Sequence, residues 1–403
     1  MKTILLNLIM SGNYGPGLLR GIAAYCQSQN QNTWIFRNLV GDNPCSDRQI
    51  KTKVDGIIAH ITDVQHARLL RRTFGAHTPI VDVGHILLVR GIPRVHTDEE
   101  HVGRMAAAHF MERGFRNLAC YTYPVGLLSR EREAAFRRHA AAAGLSVATY
   151  QWPLKRPYKR HPLVLDSGLQ TWLKSLPKPV GILAANDSLA FELMESCLLA
   201  GIHVPEEVAV LGVDNNTVVC DLTEPPLSSI ELDTSRIGFE AASLLERLMV
   251  QQSSADVTVL VPPVRVVERQ STDVVAVSDP KVAAALRFIR LHAHEGIQVN
   301  DILHAIPMAR RVLESRFRRF LGRTPMEEIR RVRMEKAKEM LERTDIPVEQ
   351  VAERCGFKDV KRLYVVFRSF TGMTPARWRR HFRLMDRRPP PSRQPVAPDP
   401  SRH

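Results

Sequence analysis

The sequence predicts an α/β domain of two lobes over residues 1–270, followed by an all-α domain built on a doubled helix-turn-helix. Three observations carry that expectation. Short apolar runs alternate with amphipathic segments over about the first 250 residues, the mark of sheets covered by helices. A pattern near the C-terminus occurs twice at an offset of 50 residues. The excess positive charge lies almost wholly in the segment that holds this repeat.

The charge count is sharp. Residues 281–385 hold 24 Lys and Arg against 12 Asp and Glu, a net +12, and 386–403 add 4 against 2. The first 280 residues balance at 28 of each, so a polyanion partner is expected for the C-terminal part alone. Cysteines 26, 45, 120, 197, 220 and 355 form no C-x-x-C pair and no cluster at metal-ligand spacing, which suits reduced thiols in a cytoplasmic protein. The N-terminal apolar run is broken by Asn7 and reads as a strand rather than a signal peptide. No run approaches the ~20 apolar residues of a membrane span.

Taken in order, strand-like runs fall at 3–9, 34–40, 54–59, 79–83, 118–121, 147–150, 180–185 and 208–213, with helical patterns at 18–27, 100–113, 131–143 and 188–200. Gly12-x-x-Gly15-x-Gly17 follows the first run, but it is not spaced G-x-G-x-x-G, and no acidic residue ends the run at Val40. A tight turn at a cleft floor is expected there, with Tyr14 placed to stack on a ligand. In parallel sheets ligands sit at the carboxyl ends of strands, which singles out Asp82, Asp187 and Asp214. Each carboxylate can accept several hydroxyl donors, as a polyol would offer. The alternative for each is a helix cap or a turn.

Three landmarks sharpen the domain. V-H-T-D-E-E-H-V-G-R-M-A-A-A-H-F-M-E-R-G-F-R-N-L at 95–118, V-P-E-E-V-A-V-L-G-V-D at 204–214 and L-D-T-S-R-I-G-F-E-A-A-S-L-L-E-R-L at 232–248 together resemble the effector domain of LacI-type regulators. That domain is itself similar to periplasmic sugar-binding proteins. The resemblance implies a chain that crosses between lobes near 97, 230 and 260, a small ligand in the cleft and a homodimer. It also implies that Arg132, in S-R-E-R-E-A-A-F, contacts the ligand, its fork pairing with one of the carboxylates.

In the C-terminal part, Leu313, Phe317, Arg318, Phe320, Gly322, Thr324 and Pro325 recur as Leu363, Phe367, Arg368, Phe370, Gly372, Thr374 and Pro375. The apolar members fall at i, i+4 and i+7 on a helix, Gly supplies a stop, and Pro opens the next helix. Shorter apolar patterns precede each copy, at 299–306 and 348–355, so each unit reads as short helix, turn, longer helix. The second turn is marked by Gly356. The first lacks an N-capping Ser or Asn before Arg310. A helix over 326–341 joins the units.

F-R-x-F-x-G-x-T-P, twice, and A-x-x-C-G-F at 352–357 are similar to the AraC-type DNA-binding domain over about 281–385. A LacI-type sensor ahead of an AraC-type reader resembles the xylose-operon regulators, as does V-P-P-V-R-V-V-E-R-Q-S-T-D at 261–273. Against that family this sequence has His60 and Gly15 where acidic residues are expected, so the effector is open among pentoses, hexoses and other polar metabolites. His60, following the third strand-like run, is either a cleft residue or a core histidine. Residues 271–280 are expected to be a linker and 386–403 a disordered Pro/Arg-rich tail.

On the DNA side, Arg310 and Arg311 begin the first recognition helix, and Lys358, Lys361 and Arg362 flank the start of the second. Residues at these N-termini reach base edges, and Arg pairs with guanine. Arg318 and Arg368 lie two turns on, toward phosphate or packing. Arg330, Arg331 and Arg333 on the joining helix are expected to face phosphate or solvent.

The expectation is a nucleoid-associated regulator, an activator of sugar-catabolic genes, with double-stranded operator DNA, a monosaccharide, a second copy and RNA polymerase as partners. No cofactor, metal or catalysis is expected. The rivals are a DNA-binding regulator with a vestigial cleft and a DNA reader fused to a sugar-converting enzyme.

Overall fold

The computed structural model describes residues 2–10, 12–28, 34–38, 53–153, 167–251, 257–274, 276–277 and 279–386. Residues 387–403 of the expected tail, the end of the run at 34–40 and Cys45 lie outside these, while Asp386 ends a helix. The chain divides into two compact units, Met1–Ser278 and Asp279–His403.

The first unit opens with β1 (Lys2–Asn7), α1 (Tyr14–Ser28), β2 (Trp34–Asn38), β3 (Gly56–Ala59), α2 (Val64–Phe74), β4 (Ile80–Asp82) and β5 (Arg94–Thr97). It continues with α3 (Glu99–Glu112), β6 (Asn117–Thr122), α4 (Leu127–Ala142), β7 (Val147–Gln151), α5 (Ser167–Ser175), β8 (Val180–Ala184), α6 (Asp187–Leu199), β9 (Val208–Val213), α7 (Thr217–Leu222) and β10 (Ser228–Glu231). Then come α8 (Thr234–Gln251), β11 (Thr258–Val261) and β12 (Arg265–Val267). These build two six-stranded sheets, ordered β11-β5-β4-β3-β1-β2 and β12-β10-β9-β8-β6-β7. The chain leaves the first sheet after Thr97, returns after Glu231 and leaves again after Val261.

The strands are parallel except β12, which runs antiparallel to β10 at an edge. Central strands such as Val-Gly-Ile-Leu-Ala in β8 are buried at every residue, because helices cover both faces. Alternation of polar and apolar residues is therefore absent there. In each lobe the first strand lies between the second and the third, so β1/β3 and β6/β8 are switch points where crossovers diverge and open a crevice. α1 and α8 pack closely through glycines: a Cβ on Gly21 would lie 1.8 Å from Ser235 O.

Ser271 and Thr272, expected in a linker, are fully buried in the second lobe. Ser271 Oγ donates to Val210 O (2.6 Å). At 271 and 272 the chain is core rather than spacer.

That unit contains α9 (Pro280–His292), α10 (Val299–Ala305), α11 (Arg310–Leu321), α12 (Pro325–Arg343), α13 (Val348–Arg354), α14 (Val360–Thr371) and α15 (Pro375–Asp386). The repeat appears as matching local chemistry. Gly322 and Gly372 end α11 and α14 in left-handed conformation, at φ 68 and 70°. Thr324 and Glu327 form a capping box ahead of Pro325. Leu313, Phe317, Leu363 and Phe367 are wholly buried, whereas Phe370, expected on the same stripe, is 48% exposed. It lies outside the apolar cluster that holds Leu363, Val366 and Phe367.

Candidate functional site

The six residues expected in the cleft come together at the carboxyl ends of the strands, in unequal roles. Tyr14 opens α1, and its hydroxyl donates to Val83 O (3.0 Å). Burial raises its pKa, and Asp214, Glu99 and Asp82 add to the shift, so all three carboxylates lie within electrostatic reach of the phenol. His60 follows β3. Its ring meets Tyr14 edge-on at 5.4 Å, and its Nδ1 accepts from Ile9 N (3.3 Å). Burial pushes His60 down to about 4, so it is neutral at pH 7 with its proton on Nε2, a donor.

Asp82 ends β4 and accepts from Ile61 N (3.1 Å) and Gly84 N (2.8 Å), both through Oδ1. Burial lifts it to about 6, and Oδ2 stays outside those bonds. Asp214 follows β9 at φ 107°, and its carboxylate takes no hydrogen bond among the described residues. Burial above all, then Asp187, raises it to about 8. A carboxyl that half-faces a cleft without a partner is poised for a ligand that brings donors.

Asp187 differs. It is 1% exposed, with Oδ1 accepting from Ser229 Oγ (2.6 Å) and Oδ2 from Asn216 N (2.6 Å). Its oxygens hold the turn beneath Asp214 instead of facing the cleft. Arg132 is likewise 1% exposed and pairs with a residue the sequence reading did not single out. Its Nε donates to Glu99 Oε2 (2.6 Å), its Nη2 to Glu99 Oε1 (3.1 Å) and its Nη1 to Ala185 O. The expected pairing with Asp82, Asp187 or Asp214 is thus replaced by a fork on Glu99. Burial works against charge on both partners. It lifts Glu99 with Arg132 pulling back, while for Arg132 the carboxylate more than offsets it. Glu99 was hidden in the sequence because an acid in the first turn of α3 serves equally to complement the helix dipole.

The glycine loop shows why Gly15 stands where an acid was expected. A Cβ there would lie 2.4 Å from Ile9 O, and one on Gly17 would lie 1.8 Å from Thr234 Oγ1. These glycines serve close packing.

On the second unit, α11 exposes Arg310, Arg311 and Arg318, with Arg310 paired to Glu314 (3.0 Å). α14 exposes Lys361, Arg362 and Arg368, and Lys358 is exposed in the turn before it. Ser315 and Arg319 on α11 and Tyr364 and Val365 on α14 are exposed too. Helical periodicity from Arg311 and Lys361 could have found Ser315, Tyr364 and Val365. The start of α11 at Ala309 has no side-chain cap, while Asp359 caps α14 by accepting from Arg362 N (2.7 Å). The joining helix corrects an expectation. Arg333 is buried and donates to Ala293 O (2.7 Å) and Ile297 O (2.9 Å), and Arg331 Nη2 donates to Glu328 (2.8 Å). Both hold the fold rather than face phosphate.

Residues 107–272 match the periplasmic binding protein-like domain family and 302–381 the helix-turn-helix domain family. The xylose operon regulatory protein of Escherichia coli K12 is 32% identical over 385 residues, 93% of this chain and 96% of that one. This chain belongs to that family. It is a DNA-binding transcription regulator of two parts. The Haemophilus influenzae member is 32% identical over 91% of this chain and 95% of its own. The solved structure of the xylose-binding transcription activator xylR matches with TM-score 0.77 and 30% identity, covering 94% of this chain and 98% of that one. A CelR–cellobiose complex, at 22% identity and TM-score 0.53 over 67% of this chain and 84% of that one, is alike in fold. Among the described residues no helix is long and apolar enough to cross a membrane.

Proposed function

We propose that this regulator senses a monosaccharide in the cleft of its first unit, with D-xylose the leading candidate, and activates sugar-catabolic genes in response. The observation that carries the reading is Asp214, a carboxyl group at the end of β9 that holds no hydrogen bond among the described residues and lies within electrostatic reach of Tyr14 and the Glu99–Arg132 pair. A polyol offers hydroxyl donors to Asp82, both donors and acceptors to the protonated Asp214 carboxyl, and an acceptor to His60 Nε2. His60 and Gly15 stand where the xylose-operon regulators are expected to have acids, so other pentoses, hexoses and polar metabolites are rival effectors. A sugar bridging the lobes binds closed better than open, and only such a preference can shift the balance of states. On this reading the regulator acts in the cytoplasm as a homodimer, contacts RNA polymerase and presents four helix-turn-helix units to an operator. Arg311 and Arg362 reach base edges there, Lys358, Lys361, Arg318 and Arg368 contact phosphate, and Arg310 is held back by Glu314.

The test is thermal unfolding of the full chain against a panel of pentoses, hexoses and sugar acids. Occupancy of the native state adds RT ln(1 + [L]/Kd) to stability, so a bound sugar must raise the melting temperature. A rise with D-xylose and not with its epimers names the effector. No rise with any sugar rejects sugar sensing and leaves DNA binding as the function.

A further inference from the structure

The turn that carries Asp214 is held from both lobes, and one of its holders lies on the segment that leads out of the domain. Asn215, like Asp214, has positive φ, at 47°, a conformation that Asn tolerates better than most residues. Its backbone oxygen accepts from Asn13 Nδ2 (2.7 Å), one residue before Tyr14 on the opposite lobe. Its backbone N–H donates to Ser229 Oγ (3.0 Å). Its side-chain Oδ1 accepts from Arg269 Nη2 (3.0 Å). The Arg269 side chain is 8% exposed; its Nη1 donates to Leu227 O (2.9 Å) and its Nε lies 3.3 Å from Asp221 Oδ1.

Arg269 opens the stretch that ends at the second unit. Behind it, Ser271 N–H donates to Pro226 O (2.9 Å), and Thr272 Oγ1 lies 2.8 Å from Ser228 Oγ and 2.9 Å from His109 Nε2. Among the described residues, the hydrogen bond between 269–272 and the turn at 214–216 is that of Arg269 with Asn215, beside the contacts to Asp221, Pro226 and Leu227. Asn13 and Asn215 lie on opposite lobes, so a separation of the lobes would break the bond between them.

We propose that Asn215 is the positioning residue that couples the cleft to the segment entering the DNA-binding unit. Ligand on Asp214 fixes the turn, Asn13 ties it to the opposite lobe, and Arg269 carries the change into 269–274. The proposal rests on the sugar-sensing reading for its ligand and on the hydrogen bonds above for its route. Coupling is a difference in contacts between states, and it is reciprocal.

The test is hydrogen exchange of residues 268–274 in the full chain, for wild type, Asn215→Gly and Asn215→Asp, each with and without D-xylose. Glycine keeps the positive φ and removes the acceptor, while aspartate keeps an acceptor for Arg269. In wild type, D-xylose is expected to slow exchange by a factor on the order of 5–100, the usual span of coupling. Asn215→Gly should lose that slowing while D-xylose still raises its melting temperature, and Asn215→Asp should retain it. Wild-type slowing in Asn215→Gly overturns the proposal. If D-xylose raises no melting temperature, xylose sensing fails and the coupling is judged on ligand-free chains. Asn215→Gly must then exchange faster than wild type over 268–274 with Asn215→Asp unchanged, and equal rates refute it.

Discussion

Replacing Asp214 by Asn is expected to make the protein more stable and deaf to its effector, with a gap in stability that grows with pH. The folded carboxyl is raised from its ordinary 3.8 to about 8, by burial first and Asp187 second. Below about pH 4 both folded and unfolded chains hold the proton, and the contribution vanishes. Between about 4 and 8 the unfolded chain releases it and the folded chain keeps it, so wild-type stability falls relative to Asp214→Asn as pH rises. Above about 8 the gap is constant. At ~1.4 kcal/mol for each pKa unit, the ceiling is roughly 6 kcal/mol, and relaxation and water in the cleft should leave about 1–3 kcal/mol. At roughly 2–4 °C for each kcal/mol in a domain of this size, that is a rise of about 2–12 °C at pH 8.5 and much less at pH 5. Asn tolerates the positive φ, so backbone strain adds little. The assay is thermal unfolding at both pH values, with and without D-xylose. A gap independent of pH, or wild type the more stable at pH 8.5, would refute the account of Asp214. A sugar-induced shift that survives in the variant would remove it from the ligand's contacts.

The remaining predictions concern buried charge, DNA reading and backbone. Glu99→Ala leaves the Arg132 guanidinium buried without its carboxylate and should cost about 3–5 kcal/mol by urea denaturation; a loss under ~1 kcal/mol contradicts the buried fork. Arg311→Ala should weaken binding to the specific operator by roughly 1–3 kcal/mol and random DNA much less, measured by fluorescence anisotropy. An equal loss on both makes Arg311 a phosphate contact. Gly356→Ala meets φ 72° and would set a Cβ 2.5 Å from Ala293 O. It should destabilise the second unit by more than ~1 kcal/mol, and unchanged unfolding would show that the turn yields easily.

Much of the fold was legible because it rests on local chemistry. Apolar runs, Gly322, Gly372, the Thr-Pro helix starts and the recurrent Leu and Phe positions each state a period or a cap, which a chain expresses wherever it is placed. The strands β5, β10, β11 and β12 were harder to see. They are three or four residues long, and what makes them strands is the pairing each finds at one side of its sheet, β5 and β10 against their neighbours and β11 and β12 at the edge. Phe370 shows the reverse, an apolar position whose period promised burial that the packing does not supply.

At the site, residue type was readable and role was not. Asp82, Asp187 and Asp214 share one signature, a carboxylate at the end of an apolar run. Yet Asp187 spends its oxygens on Ser229 and Asn216, Asp82 keeps one oxygen aside, and Asp214 has none engaged. Arg132 was expected on the ligand and Arg333 toward phosphate or solvent, and each is instead buried by partners more than 30 residues away. The sequence by itself determined the two architectures, the charge that marks the DNA-reading part and the strand ends where a ligand can sit, because periodicity, capping and net charge are properties of neighbours along the chain. Only the tertiary structure decided which carboxylate is free, which arginine is structural and which turn touches the exit segment. Desolvation and hydrogen bonding depend on what the fold brings within about 3 Å, and that is not written in local spacing.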